Sequence, residues 1–246
     1  MPHIAIAAEK LFYLFSFPIT NTLLASWVVV GVLVAIALVL SRGMRSVPTG
    51  LQNIFELFVE GFLNLMEGVF GSYKKAEQYF PIIATIFLFV IISNWFGILP
   101  GVGTIGFFEH HAGEQVFVPF LRSAASDLNF TLALGAIAII LVNAAGFGAL
   151  GFKAHAGKFF TLKNPINTFV GLLEFISEFA KMISFSFRLF GNVFAGDVLL
   201  VIMGFLAPFG APIPFLRLEI FVGFIQALVF SMLTMVFISI AVAEHH

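Results

Sequence analysis

Three ionisable side chains lie deep inside the longest apolar stretches of the chain: Arg188, Asp197 and Glu219. A charged residue at the centre of a bilayer costs on the order of 2.5–3.5 kcal/mol on insertion scales, so such residues usually face a cavity or a partner. Arg188 lies in the sequence FRLFGN, which contains no acidic residue within one helical turn of it. A guanidinium binds a carboxylate without giving up its own proton, whereas carboxyls exchange protons readily. These residue types favour a proton or ion pathway.

Helical spacing indicates which of these side chains can meet. Asp197 follows Arg188 by nine residues, which places the two on opposite sides of one helix. If the two longest apolar stretches form an antiparallel hairpin, Asp197 lies near Glu219, and Arg188 or Asn192 lies near Gln226. Two carboxyls in a low dielectric cannot both ionise cheaply, so one of them should hold a proton near neutral pH.

Small residues surround Arg188 on the helical wheel. Within an arc of roughly 80° around it lie Ser177, Ala180, Ser184, Gly191 and Ala195. Small side chains on one face let another helix approach closely, so this face is predicted to receive a neighbouring helix. A structural role, in which Arg188 binds backbone carbonyls at a helix break, remains an alternative at this point.

Composition identifies the class of protein. Of 246 residues, 60% are hydrophobic and 10% are charged, and the mean hydropathy is +1.07. Soluble domains carry about 25% charged residues, so the chain is predicted to be an integral membrane protein. A net charge of −1 argues against a nucleic-acid partner, and the absence of cysteine excludes disulfides and thiolate metal sites.

We predict an all-α membrane protein with about five transmembrane spans plus one amphipathic surface helix. The spans are predicted at residues 21–41, 81–101, 129–151, 166–208 and 214–243. Polar residues recur every three or four positions between residues 48 and 71, which predicts the amphipathic helix. These polar residues are Asn53, Glu56, Glu60, Asn64 and Glu67. A helix of about 40 residues is twice as long as the bilayer core is thick, so the last two spans should tilt, kink or leave the membrane.

We expect a single membrane domain over residues 1–246. Its parts are an N-terminal tail and first span (1–47), the amphipathic helix (48–79), a two-span hairpin (80–151) and a long C-terminal hairpin (166–246) that carries the path.

Lysine and arginine predict the orientation. With five spans and the N-terminus outside, seven basic residues fall in cytoplasmic segments and three in outer ones. The positive-inside rule therefore favours an outer N-terminus and a cytoplasmic C-terminus. The cytoplasmic set is Arg42, Arg45, Lys74, Lys75, Lys153, Lys158 and Lys163, and the outer set is Lys10, Arg122 and Arg217. The first 20 residues lack the basic start of a signal peptide, and no transit peptide is visible, which favours a bacterial plasma membrane.

Other classes of protein are less well supported. The sequence EHHAGE (109–114) has two adjacent histidines, which do not share a helical face as a zinc-binding pair does. We interpret it as a solvated outer loop, and we read His245 and His246 as a polar chain end. A secondary transporter would show two similar halves, and none is visible in this sequence. A purely structural scaffold would not require Arg188 opposite Asp197.

Four short sequences resemble one family. RLFGN followed by AGD, DLNFTLALG, IQALVFSMLT and the terminal AEHH are similar to subunit a of the F-type ATP synthase. The resemblance implies a stator that provides two proton half-channels to a ring of c subunits and does not itself make or hydrolyse ATP. It implies that Arg188 faces the carboxylate of each passing c subunit, with Asn192 and Gln226 close by.

The resemblance also implies the remaining roles. Asp197 and Glu219 match the pair lining the outer half-channel, and Glu174 matches an acidic position near the cytoplasmic outlet. Some members of the family carry Glu and His at that pair. No histidine lies in either of the two long C-terminal spans of this chain, so a relay here must use two carboxyls and water. Sodium coupling is less expected. The implied partners are the c ring, peripheral-stalk b-type subunits, the rest of the complex and the lipid bilayer, with no cofactor and no metal.

Overall fold

The computed structural model describes residues 8–42, 50–111, 114–151, 155, 157 and 165–243. Two short antiparallel hairpins accompany six helices in this part of the chain. The strands are β1 (Lys10–Leu14), β2 (Phe17–Thr20), β3 (Gly106–His111) and β4 (Glu114–Pro119). The helices are α1 (Asn21–Arg42), α2 (Leu51–Phe70), α3 (Tyr73–Phe96), α4 (Leu128–Leu150), α5 (Pro165–Leu206) and α6 (Pro212–Val242).

The predicted all-α membrane architecture is confirmed. Five helices of the described chain, α1, α3, α4, α5 and α6, are long and apolar enough to cross a membrane. Four of these helices, α1, α4, α5 and α6, begin and end within two residues of the predicted bounds. The remaining one, α3, runs from Tyr73 to Phe96 instead of residues 81–101. Its start is earlier because the polar segment before Pro81 consists largely of good helix formers and continues the helix out of the apolar region.

The segment between α3 and α4 contains structure that we had not predicted. Gly106–His111 and Glu114–Pro119 form the β3–β4 hairpin, in which Phe107 pairs with Val118 and Phe108 with Phe117. The described residues of EHHAGE, which was interpreted as a solvated loop, belong to these strands. A short 3-10 helix, Ala124–Ser126, then leads into α4. Both hairpins lie at the end of the bundle where α1 and α4 begin, which we call the strand end. Of the other polar segments in the sequence, Arg45, Lys153, Lys158, Lys163, His245 and His246 lie outside the described residues.

Helix α2 is amphipathic, as predicted. Its apolar face buries Phe62, Met66 and Phe70, and Phe58 stacks on Phe87 of α3 with ring centroids 5.6 Å apart. All five polar residues of the predicted stripe are exposed. The helix therefore packs against α3 and α6 and presents an acidic surface away from them.

Helix α5 is the least enclosed of the five long helices. Only 11% of its 18-residue apolar window is buried, compared with 56% for α3 and 44% for α6. One side, formed by Phe185, Leu189 and Val193, packs against α4 and α6. Phe185 contacts Phe230 of α6 with ring centroids 5.1 Å apart. The rest of α5 therefore remains uncovered by the described chain.

A close helix crossing holds α5 against α4 at Gly135. A Cβ placed there would overlap Ser186 Oγ and lie 3.0 Å from the carbonyl oxygen of Met182. We expect Gly135→Ala to destabilise the folded chain by about 1–3 kcal/mol, the usual range for overpacking. Thermal unfolding in detergent would measure this loss. Gly148→Ala, on the same helix with no atom within 4 Å of its Cβ, is the matched control, and equal melting temperatures for the two variants would contradict the prediction.

Candidate functional site

Arg188 lies on the uncovered face of α5. Its side chain is exposed, as are those of the small residues predicted around it: Ser177, Ala180, Ser184, Gly191 and Ala195. A Cβ at Gly191 would meet no atom within 4 Å. Among the described residues Arg188 forms no ion pair or hydrogen bond. A permanent cation is thus presented on a smooth helix face that the described residues do not cover.

Asp197 and Glu219 meet between α5 and α6. Their carboxyls lie close enough to interact directly, and Glu219 is only 8% exposed. The close approach depends on Gly196, because a Cβ there would lie 2.7 Å from Glu219 Oε1. The antiparallel hairpin predicted from the sequence therefore brings these two residues together.

Two residues from the strand end complete the surroundings of Asp197. The Ser126 side chain and the guanidinium of Arg122 both lie close enough to act on its carboxyl, while the Ser126 hydroxyl itself donates to the carbonyl oxygen of Ser123 at 2.9 Å. Ser126 is fully buried and belongs to the short helix that precedes α4. The carboxyl pair is therefore held from three elements: α5, α6 and the connection between α3 and α4.

Helix α3 fixes the position of α6 beside Glu219. Asn94 Nδ2 donates to the carbonyl oxygen of Gly223 at 2.9 Å, and Trp95 Nε1 donates to that of Ile220 at 3.0 Å. Gly223 lies one turn after Glu219, and a Cβ there would be 3.2 Å from Asn94. These two bonds set the rotation of α6 that turns Glu219 towards α5.

A cavity of about 410 Å³ reaches Asp197 from the strand end. Its polar walls include Glu9, Thr104, Arg122 and Ser123, and its apolar walls include Phe194 and Val201. Buried polar atoms continue inward: Ser123 Oγ, Glu219 Oε2 and Asn94 Oδ1 have no hydrogen-bond partner among the described residues. Buried polar atoms of this kind usually bind ordered water, so the arrangement is suited to a hydrated path.

A buried polar network supports the cavity wall. Thr22 of α1 donates to Asp127 at 2.9 Å, and Asp127 caps α4 by accepting from the Asn129 amide at 2.9 Å. Asn21 Nδ2 donates to Glu9 at 3.2 Å and lies 3.4 Å from the carbonyl oxygen of Pro119. The network links both hairpins to the starts of α1 and α4, so it fixes the walls around Arg122 and Ser123.

The hairpin register determines where Gln226 lies. Residue 196 is opposite Glu219 and Phe185 is opposite Phe230, so each residue forward along α6 corresponds to one residue backward along α5. Gln226 thus lies level with residue 189, next to Arg188 in height, as predicted. It is half-buried, whereas Asn192 is exposed near Arg188, and no hydrogen bond joins Gln226 to either within the described chain.

Glu174 stands apart from these residues. It is exposed on α5, 14 residues before Arg188, which corresponds to about 21 Å along a helix. It lies towards the end of the bundle opposite the cavity. The six predicted residues thus form a carboxyl pair at a cavity, a cation with two amides near mid-helix, and a distant acid.

The sequence did not reveal Arg122, Ser126, Asn94 or Glu9 as site residues. Arg122 was counted only among the basic residues of the outer segments, Ser126 and Asn94 were not singled out, and Glu9 was assigned to the N-terminal tail. The available signal was Asp127, a helix-capping residue directly before an apolar stretch, which indicates that the preceding LRSAAS segment is held at the start of a helix.

These observations define a multi-pass membrane protein with ionisable residues in its spans. A sequence model of the family described as "ATP synthase A chain" matches residues 23–239. The chain is 35% identical to ATP synthase subunit a of Gloeobacter violaceus over 225 residues, which cover 92% of this chain and 85% of that one. It is 34% identical to the subunit a of Campylobacter concisus (87% of each chain) and 31% identical to that of Moorella thermoacetica (96% and 97%). The chain belongs to the family of ATP synthase subunit a.

Proposed function

We propose that this chain is the stator subunit of a rotary ATP synthase and that it provides two proton half-channels to the carboxylates of a c ring. The observation that carries the proposal is the separation of its charged groups. Arg188 is exposed on the uncovered face of α5, whereas Asp197 and Glu219 meet beside a cavity. Proton flow through such an arrangement would turn the ring and drive ATP synthesis elsewhere in the complex, without catalysis by this chain.

The cavity supports a role as the first half-channel. A proton entering from the strand end would pass Glu9 and reach Asp197, which lines the cavity. From there Glu219 is adjacent, and buried polar atoms beyond it can bind water. Two carboxyls that share one proton exchange it without a stable ionised pair in the membrane.

Arg188 is suited to separate the two half-channels. A guanidinium remains charged and binds a carboxylate bidentately, so a ring carboxylate opposite it stays ionised. The carboxylate can then take up or lose a proton only after it has moved away from Arg188, to one side or the other. Under this proposal Asn192 and Gln226, which lie close to Arg188 in height, orient the guanidinium, and Glu174 releases protons towards the opposite surface.

The same proposal assigns partners and orientation. The smooth face of α5 receives the outer helices of the c ring, and peripheral-stalk b-type subunits complete the stator. The cavity opens to the outer side, with the N-terminus outside and the C-terminus in the cytoplasm, as the distribution of lysine and arginine favours. A bacterial plasma membrane is the proposed location.

Cysteine cross-linking would test the proposed contact with the ring. The native chain contains no cysteine, so a single introduced thiol reports one position. We expect Ser184→Cys, on the exposed face of α5, to form a disulfide with cysteines placed on the outer helix of the c subunit in the intact complex.

Ser186→Cys is the matched control. Ser186 lies two residues away on the same helix but is fully buried and donates to the carbonyl oxygen of Met182 at 2.8 Å. It should therefore remain uncross-linked under the same oxidation. Equal cross-linking at both positions, or none at Ser184→Cys in an assembled complex, would contradict the proposed interface.

A further inference from the structure

A second cation lies on the same side of α5 as Arg188. Lys181 precedes Arg188 by seven residues, which is nearly two full turns, so the two Cα–Cβ directions differ by only about 20° and are separated by about 10 Å along the axis. Two cations at this spacing would both act on an anion that passes along the face. The proposed function requires only one of them, Arg188, to keep the ring carboxylate ionised.

The structure treats the two cations differently. Lys181 Nζ pairs with Glu178 Oε1 at 2.6 Å, and the side chains of Lys181 and Glu178 are only 28% and 15% exposed. The ammonium also lies over the ring of Phe237 of α6, 4.8 Å from its centroid. Arg188, by contrast, is exposed and has no ion pair within the described chain.

The pair is built into the packing between α5 and α6. Phe237 stacks on Phe185 with ring centroids 5.5 Å apart, so the ring that receives the ammonium is itself held in the core. Glu178 Oε2 is buried and has no hydrogen-bond partner among the described residues. Among the described residues Glu178 therefore pairs with Lys181 alone, and a buried carboxylate of this kind is costly unless it is paired.

From these contacts we infer that Glu178 is a positioning residue that neutralises Lys181 and holds it against α6. Arg188 then remains the one unneutralised cation that the described part of α5 presents to a ring carboxylate. This inference rests on the proposed function and adds a residue that selects where the carboxylate stops.

The physical consequence concerns protonation of the ring carboxylate. An unneutralised ammonium about 10 Å from the Arg188 position would stabilise the ionised carboxylate and delay its uptake of a proton. In a medium of effective dielectric constant near 20 the effect corresponds to a slowing on the order of tenfold. Glu178 prevents this slowing, because its carboxylate neutralises the ammonium of Lys181.

The test compares variants in inverted membrane vesicles that contain the whole ATP synthase, with ATP-driven acidification as the readout and the amount of assembled complex measured in parallel. We expect Glu178→Gln to pump on the order of tenfold more slowly. The double variant Glu178→Gln/Lys181→Met removes both charges and should return to within about twofold of the native rate.

Rescue by the second substitution distinguishes positioning from proton transfer. If Glu178 itself carried protons, the double variant would remain as slow as Glu178→Gln, and the inference would be wrong. A native rate for Glu178→Gln would also overturn it. The exchanged pair Glu178→Lys/Lys181→Glu keeps one charge of each sign, so it should pump at a near-native rate, and slow pumping by an assembled complex that carries it contradicts the inference even if Glu178→Gln does not assemble.

Failure of this inference differs from failure of the proposed function. Arg188→Ala, measured in the same vesicles, addresses the proposed function alone. Normal pumping by Arg188→Ala would contradict the stator mechanism, whereas normal pumping by Glu178→Gln with an inactive Arg188→Ala would contradict only the role of Glu178.

Discussion

Replacing Arg188 by alanine is expected to abolish ATP-driven proton transport, with a loss of at least about 100-fold, comparable to the removal of a principal electrostatic group from a reaction site. The side chain is exposed on α5 and has no ion pair within the described chain. Its removal should therefore cost little folding energy. Under the proposed function it removes the permanent charge that keeps the ring carboxylate ionised between the half-channels. Acidification of inverted vesicles by ATP would measure the effect.

Phe187→Ala is the control for this prediction. Phe187 is the preceding residue and is 52% exposed, so its truncation tests whether any change on this surface stops transport. It should assemble and pump, whereas Arg188→Ala should assemble and not pump. A normal rate for Arg188→Ala would make the arginine a structural residue and remove the basis for two separate half-channels.

Neutral isosteres at the carboxyl pair should give the second-largest loss. Asp197→Asn and Glu219→Gln keep the size and polarity of the side chains but cannot accept and release a proton at neutral pH. We expect each to slow pumping on the order of tenfold, because the other carboxyl and bound water can still carry protons. The rate of acidification at constant ATP, normalised to assembled complex, measures the loss.

The double variant separates a shared path from two independent ones. Because Asp197 and Glu219 interact directly, their losses should not multiply, as is usual for residues in contact. Glu56→Gln, at an exposed position on α2, removes a carboxylate outside the path and should leave the rate unchanged. Pumping at the native rate by the Asp197→Asn/Glu219→Gln double variant would exclude the pair from proton entry.

The helices and the meeting of the carboxyls could be predicted from the sequence for a simple reason. Apolar stretches longer than a bilayer is thick have few alternatives to a spanning helix, and a tight turn between two of them fixes the register. Asp197 therefore had to lie near Glu219, and Gln226 near the height of Arg188. The exposed arc around Arg188 also followed from helical periodicity.

The cavity residues could not be predicted because their positions depend on contacts between distant segments. Arg122 and Ser126 reach Asp197 only because the connection from α3 to α4 folds over the start of the bundle, where Asp127 bonds Thr22 at 2.9 Å. Nothing in the local sequence around residue 122 specifies that contact. Glu9 likewise reaches the cavity through its bond with Asn21.

Two local features were missed for a different reason. The β3–β4 hairpin is short and its alternation is weak, so it resembles a loop in sequence. The early start of α3 was missed because we took Pro81 as a helix start, whereas it lies inside the helix. Its carbonyl oxygen accepts from Thr85 Oγ1 at 2.6 Å.

The one-sided packing of α5 also has a mechanical consequence. An attraction between Arg188 and a moving partner acts equally on both, so every step of a rotor would pull sideways on α5. Helix α5 can resist this pull because its Ser186 packs against Gly135 of α4 and its Phe185 packs against Phe230 of α6. The two hydrogen bonds from Asn94 and Trp95 pass the load from α6 to α3, the most deeply buried long helix. Under the proposed function, α4, α6 and α3 therefore support α5 from behind against the sideways pull of the ring.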